Sequence, residues 1–498
     1  MNRSFKFHLN NKVIFSILYL YFLITSFLII PAGDDFFWWG KPGHYLLTHH
    51  FYGLDSSFGG SSNGRYLGNL LEILIMHSSI FAAIFYAGII TIFIWCLWYL
   101  TGRTRVSLTM ALAFFITLQS GYIQSIFMWF AGFVNYLPPI TLPLLYCIMF
   151  KKYIKTNYSS PTAFFFLMSF IGGLFVEHMT LYQIFVGLLS IYFLKIWNKR
   201  KNNNLSKNIV YAYTLGAVSS AIFMFVNPAY YFSRNEYRKV SFSLDKYFES
   251  YVNTTHFWII TFNYFIITLI CLSLIIIALK EVKSKRIQYF IIISAVFFII
   301  YYLSVNLYLK LNCKINYINY QFFQVNHKLA LIDGLFGILF YLFLIASTLL
   351  VLKNYDTYFY LFSTVALFIP FLFILSPIFI REYFSSFVFL YILGIIYVNK
   401  AIAIIDMTTL THKIFKIIMS GIVLSYALVM FMMIANYQSN MNRVKDPDFL
   451  YTAKTLEHKV PYPAFVSQND ELMMQSPVYW DNRLNYKLND YFYNGNYK

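Results

Sequence analysis

Charge and cysteine are both scarce in this 498-residue chain: 12% of its residues are Asp, Glu, Lys or Arg, and four are cysteine. Soluble domains carry about 25% charged and roughly 45–50% apolar side chains. Here 59% are hydrophobic and 21% aromatic, so the shortage of charge excludes a soluble globular protein. A mean hydropathy of +0.59 over the whole length excludes a soluble body on a single anchor. Cys96, Cys147 and Cys271 sit inside apolar runs, where a thiol behaves as a small hydrophobe. Only Cys313 lies in a polar stretch, and no disulfide framework is implied. No internal repeat is visible in helix length or loop pattern, which weakens an inverted-repeat transporter. A net charge of +18 would suggest nucleic acid in a soluble chain. In a membrane chain it reports topology instead.

What is present is a series of long apolar runs. A spanning helix needs about 20 mostly apolar residues. Runs near 13–30, 78–101, 106–121, 137–150, 162–177, 179–194, 208–226, 259–279, 287–305, 330–352, 358–375, 386–399 and 417–435 predict about thirteen helices. The fold class is an all-α polytopic membrane protein, with residues 1–435 spanning the membrane and 436–498 forming a tail. The first run is long for a signal peptide and is followed by Pro31–Asp34 rather than a cleavage site, so it reads as a retained helix. Pro138-Pro139 is expected to end one structure and start the next helix.

Charge orients the chain. With the N-terminus cytoplasmic, the inner segments hold 21 Lys+Arg and 3 Asp+Glu, which accounts for the whole +18. These loops are short and basic, as the positive-inside rule asks. The outer loops (31–69, 122–136, 227–258, 306–329 and 376–385), taken with Glu72, Glu177 and Asp333 at the outer ends of apolar runs, hold 10 charges of each sign, and the tail 7 of each. Trp38, Trp39, Trp129 and Trp258 stand where outer loops meet the membrane, as interfacial aromatics do. The tail, extracytoplasmic in this topology, is expected to be a small α/β or irregular cap. Chemistry is expected on the outer face, because inner loops of five to seventeen residues cannot form a domain.

The polar residues there need explaining. Asp34 and Asp35 follow the first helix directly, embedded among aromatics. A neighbouring like charge or partial burial raises a carboxyl pKa and prepares a general base; the plain alternative is a pair of acids ending a helix at the interface. Further along the same loop come His44, His49, His50, Asp55, then Asn63-Gly64-Arg65-Tyr66, with Glu72 opening the next run. The His/Asp spacing matches no recognised metal pattern. Arg65 suits a phosphate or carboxylate, or an ion pair with Asp34, Asp35 or Glu72. Trp129, Asn135 and Tyr136 suit a sugar site or an interfacial belt. Glu177 and His178 stand at the outer end of an apolar segment, where an ionisable residue is a functional signal or a structural pair with Arg65 or Arg381. Arg381, at the lip of two apolar helices, suits a lipid-linked phosphate or a local pair with Glu382. The stretch Arg234–Lys239 reads as a weaker glycan candidate or a solvated face.

Taken together, Asp34-Asp35, Asn63-Gly64-Arg65-Tyr66, Trp129-x-x-Gly132-x-x-Asn135-Tyr136 and Glu177 follow a cytoplasmic N-terminus and one helix. This layout resembles the GT-C class of integral-membrane glycosyltransferases, and is similar to its bacterial multi-pass members and to O-antigen-modifying glucosyltransferases. The resemblance implies a sugar moved from a polyprenyl-phosphate donor to a cell-surface glycan or lipid-linked acceptor, at the outer face of the bacterial cytoplasmic membrane. It implies inverting transfer with Asp34 or Asp35 as base and Arg381 and Arg65 on the donor phosphate. Glu177, His178, Trp129, Asn135 and Tyr136 would bind substrate. No cofactor is implied; a divalent metal is left open, without a ligand motif. Competing classes are an O-antigen polymerase or ligase, and a lipid-linked-glycan flippase or other transporter. The near-neutral tail departs from relatives with large outer domains.

Overall fold

The computed structural model describes residues 11–48, 63–157, 161–202, 204–227, 230, 240–312, 325–374, 378–405, 410–445, 460–466 and 479–480. His49, His50, Asp55, the stretch 234–239, Cys313, Ser376 and Pro377 lie outside them, as does most of the tail.

In chain order the helices are α1 Asn11–Ser26, α2 Asp34–Trp39, α3 Lys41–Thr48, α4 Tyr66–His77, α5 Ser79–Leu100, α6 Arg105–Ala113, α7 Ser120–Tyr122, α8 Phe130–Thr156, α9 Thr162–Gly172 and α10 Glu177–Lys201. They continue as α11 Asn208–Phe225, α12 Leu244–Ser250, α13 His256–Ile259, α14 Tyr264–Glu281, α15 Lys285–Asn312, α16 His327–Val351, α17 Tyr355–Leu372, α18 Phe384–Ile404 and α19 Leu410–Lys445. No strand is present among the described residues beyond one isolated bridge between Val240 and Ile374. Helix is the expected answer to these runs, since in lipid each backbone polar group must find its partner within its own segment. Polar side chains mark the starts. Thr104 accepts from Ser107 N at 2.9 Å before α6, and Asn326 and Asn354 cap α16 and α17.

Ten segments among the described residues are long and apolar enough to cross a membrane. Their outward faces are apolar too: Ile17 and Leu20 on α1, Ile293 and Ile300 on α15, Ile417 and Val423 on α19 are all exposed. A water-soluble surface does not carry apolar area on this scale; the chain is an all-α, multi-span membrane protein. The expectation of thirteen runs differs from the ten long helices at three places. The run at 106–121 breaks into α6 and a 3-10 turn at Phe115–Thr117. The runs at 13–30 and 162–177 give helices of 16 and 11 residues.

One expectation is corrected. Pro138-Pro139 does not divide two structures, because α8 runs unbroken for 27 residues through Pro138, Pro139 and Pro143. Proline is tolerated in a spanning helix where its surroundings re-satisfy the backbone. The three prolines free the carbonyls four residues back, on Val134, Asn135 and Pro139, and all three of those residues are buried inside the bundle rather than facing lipid. α8 and α18 bury most of their residues and form the centre of the bundle. Around them α5 and α9 pack on α8, while α6, α14 and α17 pack on α18.

Two of the three acids assigned to the basic inner segments are neutralised by lysines from other such segments. Lys151 meets Asp356 at 2.8 Å and Lys400 meets Glu281 at 2.7 Å. The third, Asp406, lies outside the described residues. The tail folds back on the opposite end. Tyr462 N donates to Asn436 Oδ1 at 2.9 Å, and Asn436 Nδ2 returns a bond to Tyr462 O at 2.7 Å. Tyr479 and Trp480 are buried, with rings 5.3 and 6.2 Å from that of Phe36 on α2.

Candidate functional site

The acidic pair begins at Gly33, whose φ of +57° favours glycine and turns the chain from α1 into α2. Asp34 and Asp35 then occupy the first turn of α2, where negative charge suits the helix dipole. Adjacent residues on a helix face different directions, about 100° apart. Asp34 is exposed and Asp35 fully buried. Asp35 Oδ2 accepts the Ala32 N–H at 3.0 Å, and its Oδ1 accepts the Ala131 N–H at 2.9 Å in the first turn of α8. Trp129 Nε1 returns the link by donating to the Ala32 carbonyl at 2.9 Å. Burial pushes the Asp35 carboxyl up to about 8; the N–H donors at Ala32 and Ala131 pull the other way, and the charge of Asp34 adds to the rise.

Gly132, in the same motif, faces the Ser125 carbonyl so closely that a Cβ would collide with it. The two neighbours Asn135 and Tyr136 lie on the buried face of α8. Tyr136 Oη donates to Glu382 Oε1 at 3.2 Å. Glu382 follows Arg381 in the short turn Ile380–Tyr383, and Arg381 Nε stands 3.6 Å from its carboxylate. The Arg381 guanidinium lies over two rings, 5.1 Å from Trp129 and 4.4 Å from Phe379, a cation–π seat. Asp34 is within Coulomb reach of Arg381.

Arg65 opens α4 and grips Glu177 at the start of α10 in a bidentate pair. Its Nε is 3.1 Å from both oxygens and Nη2 is 2.7 Å from Oε2. Tyr230 Oη donates to Glu177 Oε1 at 2.7 Å, while Gly64 N donates to Tyr230 Oη at 3.3 Å. Asn63 Oδ1 accepts from Arg65 N at 3.0 Å, and Tyr66 Oη accepts from Asn227 Nδ2 at 3.1 Å. The Asn63–Tyr66 motif is thus the joint between α4, α10 and the segment after α11. Of the three ion-pair partners open to Arg65 from sequence, none is the bidentate one; the Glu177 alternative for that residue is.

His178 is buried beside this joint, its ring centroid 6.2 Å from Tyr136 and 4.9 Å from Phe371. Glu72, one per cent exposed on α4, feels the charges of Asp35, Asp34 and Arg65. Burial first, and then the two aspartates, push its carboxyl well above the usual range, against the pull of Arg65. Glu72 belongs to the cluster, although in sequence it stood only as a partner for Arg65. The signal available was its solitude as the one carboxylate of an apolar run.

Four buried polar atoms on these residues have no hydrogen-bond partner among the described residues: Glu72 Oε1, Asn135 Oδ1, His178 Nε2 and Glu382 Oε2. Buried polar groups are satisfied in more than nine cases out of ten. Unpartnered buried atoms also occur elsewhere in the bundle, on Trp98, Tyr146 and Tyr213 among others, so these four add polar capacity to the cluster without by themselves defining a ligand. No group of three or more His, Cys, Asp or Glu capable of holding a metal is found among the described residues.

Fold and cluster together define a multi-span helical membrane protein with a partly buried, mixed-charge site at one end of its bundle. No protein family, curated protein or solved structure matches the chain.

Proposed function

We propose that this protein is a GT-C-type membrane glycosyltransferase that moves a sugar from a polyprenyl-phosphate donor to a surface glycan or lipid-linked acceptor. The observation that supports this reading best is the division of labour in the acidic pair: Asp35 is anchored by two backbone N–H groups, and Asp34 is left exposed beside Arg381. A general base needs a carboxylate that substrate can reach, held on a rigid support.

In the proposed reaction Asp34 takes the proton of an acceptor hydroxyl. The hydroxyl oxygen forms a bond to the anomeric carbon as the bond from that carbon to the phosphate oxygen breaks, inverting the centre. The electron pair departs with the polyprenyl phosphate, whose charge Arg381 stabilises. A phosphate leaves readily, so the step uses no separate general acid. This differs from the two-carboxylate pattern of glycoside hydrolysis. Arg65, already committed to Glu177, ties the start of α4 to the start of α10, and its N–H groups not bonded to Glu177 are free to meet the donor. Trp129, Asn135, Tyr136 and His178 line the sugar. The site end faces outward, the N-terminus is cytoplasmic, and the host membrane is the bacterial cytoplasmic membrane. Thirteen helix-forming runs fit this class.

The test is deletion of the gene followed by mass spectrometry of surface glycans. Loss of a single sugar type is expected. Uniformly shortened chains would point to a polymerase, and an unchanged glycan would contradict the reading.

A further inference from the structure

A second ionisable pair lies outside this site, in the helix assembled from α12 to α14. That helix is broken: α12 passes into a π turn at Tyr251–Thr255, then α13, then a 3-10 turn at Thr261–Asn263 before α14. Such interruptions within a spanning segment cluster at functional places and require burial of the freed backbone groups. Facing the break, Asp333 of α16 and His256 of α13 are both fully buried, with His256 Nε2 3.1 Å from Asp333 Oδ2, a charge-pair distance without hydrogen-bond alignment. The other ring nitrogen, Nδ1, is 2.8 Å from the Tyr251 carbonyl oxygen. Asp333 also accepts from Thr261 Oγ1 at 2.6 Å and from Tyr301 Oη at 3.0 Å.

Proton counting decides the state of this pair. A carbonyl oxygen only accepts, so Nδ1 carries a hydrogen. A neutral imidazole would then present the bare lone pair of Nε2 to a bare carboxylate in a dry interior, where both repel. A proton between them removes the conflict, either on Nε2 as imidazolium or on Asp333. Among the described residues, the titratable groups that feel Asp333 are tyrosines: Tyr251 on the π turn and Tyr301 and Tyr302 on α15. None is a cation, and an isolated ionised carboxylate at this depth is costly.

We propose that His256 and Asp333 form a proton-binding site that retains one proton on one member of the pair, and that its occupancy holds the broken helix in shape. The geometry gives the site a route to the rest of the molecule. Thr255, next to His256, shares a 3.0 Å hydrogen bond with Tyr383 Oη, and Tyr383 ends the turn that carries Arg381 and Glu382. Loss of the proton sets lone pair against carboxylate, displaces the π turn, and moves the arginine turn with it. His256 and Asp333 are positioning residues, independent of what the first site binds.

The experiment is nitrogen-15 NMR of the histidine-labelled full chain in detergent micelles at about pH 8.5, where exposed histidines are neutral, with an infrared spectrum of the carboxyl region. His256→Asn assigns the ring signal; Asp333→Asn and the milder Asp333→Glu test its partner. Two protonated nitrogens on His256, falling to one in Asp333→Asn, support the site. So does a protonated carboxyl band that Asp333→Asn removes. A neutral His256 with no such band overturns it. Should a variant fail to fold, Asp333→Glu, which keeps the carboxylate, is expected to retain the proton signature and decides the question.

Discussion

The buried carboxylate of Asp35 accepts the Ala131 N–H at 2.9 Å, and this one bond ties the start of the first loop helix to the first turn of the central helix α8. It turns Asp35 into a fixture, while its neighbour Asp34 stays exposed.

Substitution of the two aspartates is expected to separate stability from activity. Asp35→Ala strands two backbone donors and lowers stability by about 1–3 kcal/mol. Asp34→Asn leaves the unfolding temperature within a degree or so and lowers sugar transfer by about 10²–10⁴-fold. Thermal unfolding in detergent and a radiolabelled transfer assay check the two halves.

Stability is expected to fall as pH rises through neutrality. The folded Asp35 carboxyl is pushed up to about 8 from its ordinary 3.8, so the folded state binds more protons than the unfolded state between those limits. The contribution is fully present below the unfolded value and lost as pH climbs through about 8. Glu72, raised by burial, acts with the same sign. Asp35→Asn, which cannot titrate, is expected to flatten part of this slope when unfolding temperature is measured across the range.

The Arg65–Glu177 pair is expected to be structural and geometry-specific. Its side chains are 16% and 22% exposed, so solvent screening trims its worth below that of a dry pair. Arg65→Ala and Glu177→Gln should each cost about 1–3 kcal/mol, with a coupling of about 1–2 kcal/mol in the double-mutant cycle. Arg65→Lys should restore little, since an ammonium cannot reproduce the bidentate fork.

Arg381 is expected to act on donor binding. Arg381→Ala should raise the KM for a polyprenyl-phosphate sugar about tenfold or more and reduce kcat, and Arg381→Lys should recover part of the KM. Steady-state kinetics with a water-soluble short-chain donor check this. An unchanged KM in Arg381→Ala would remove the arginine from the donor site.

Much of the site was legible because charge is rare here. In an apolar chain each Asp, Glu or Arg at the end of a run stands out, and Asp34, Asp35, Arg65, Glu177 and Arg381 all meet at one end of the bundle. Their pairing was not legible. Arg65 and Glu177 are 112 residues apart, and only the fold brings the start of α4 to the start of α10. Nor does adjacency in sequence say which aspartate is buried; helix geometry sends neighbours to different environments. The prolines of α8 misled for a related reason, because a membrane helix tolerates them where it is buried among its neighbours. His256 escaped notice since its partner Asp333 lies 77 positions away on another helix.

The most direct measurement is transfer itself. The purified chain is placed in liposomes with a polyprenyl-phosphate-linked radiolabelled sugar and a lipid-linked glycan acceptor, alongside Asp34→Asn. The account predicts label moving to the acceptor with the wild-type chain, and a loss of at least about 10²-fold with Asp34→Asn at unchanged folding and donor binding. Full transfer by Asp34→Asn would contradict it.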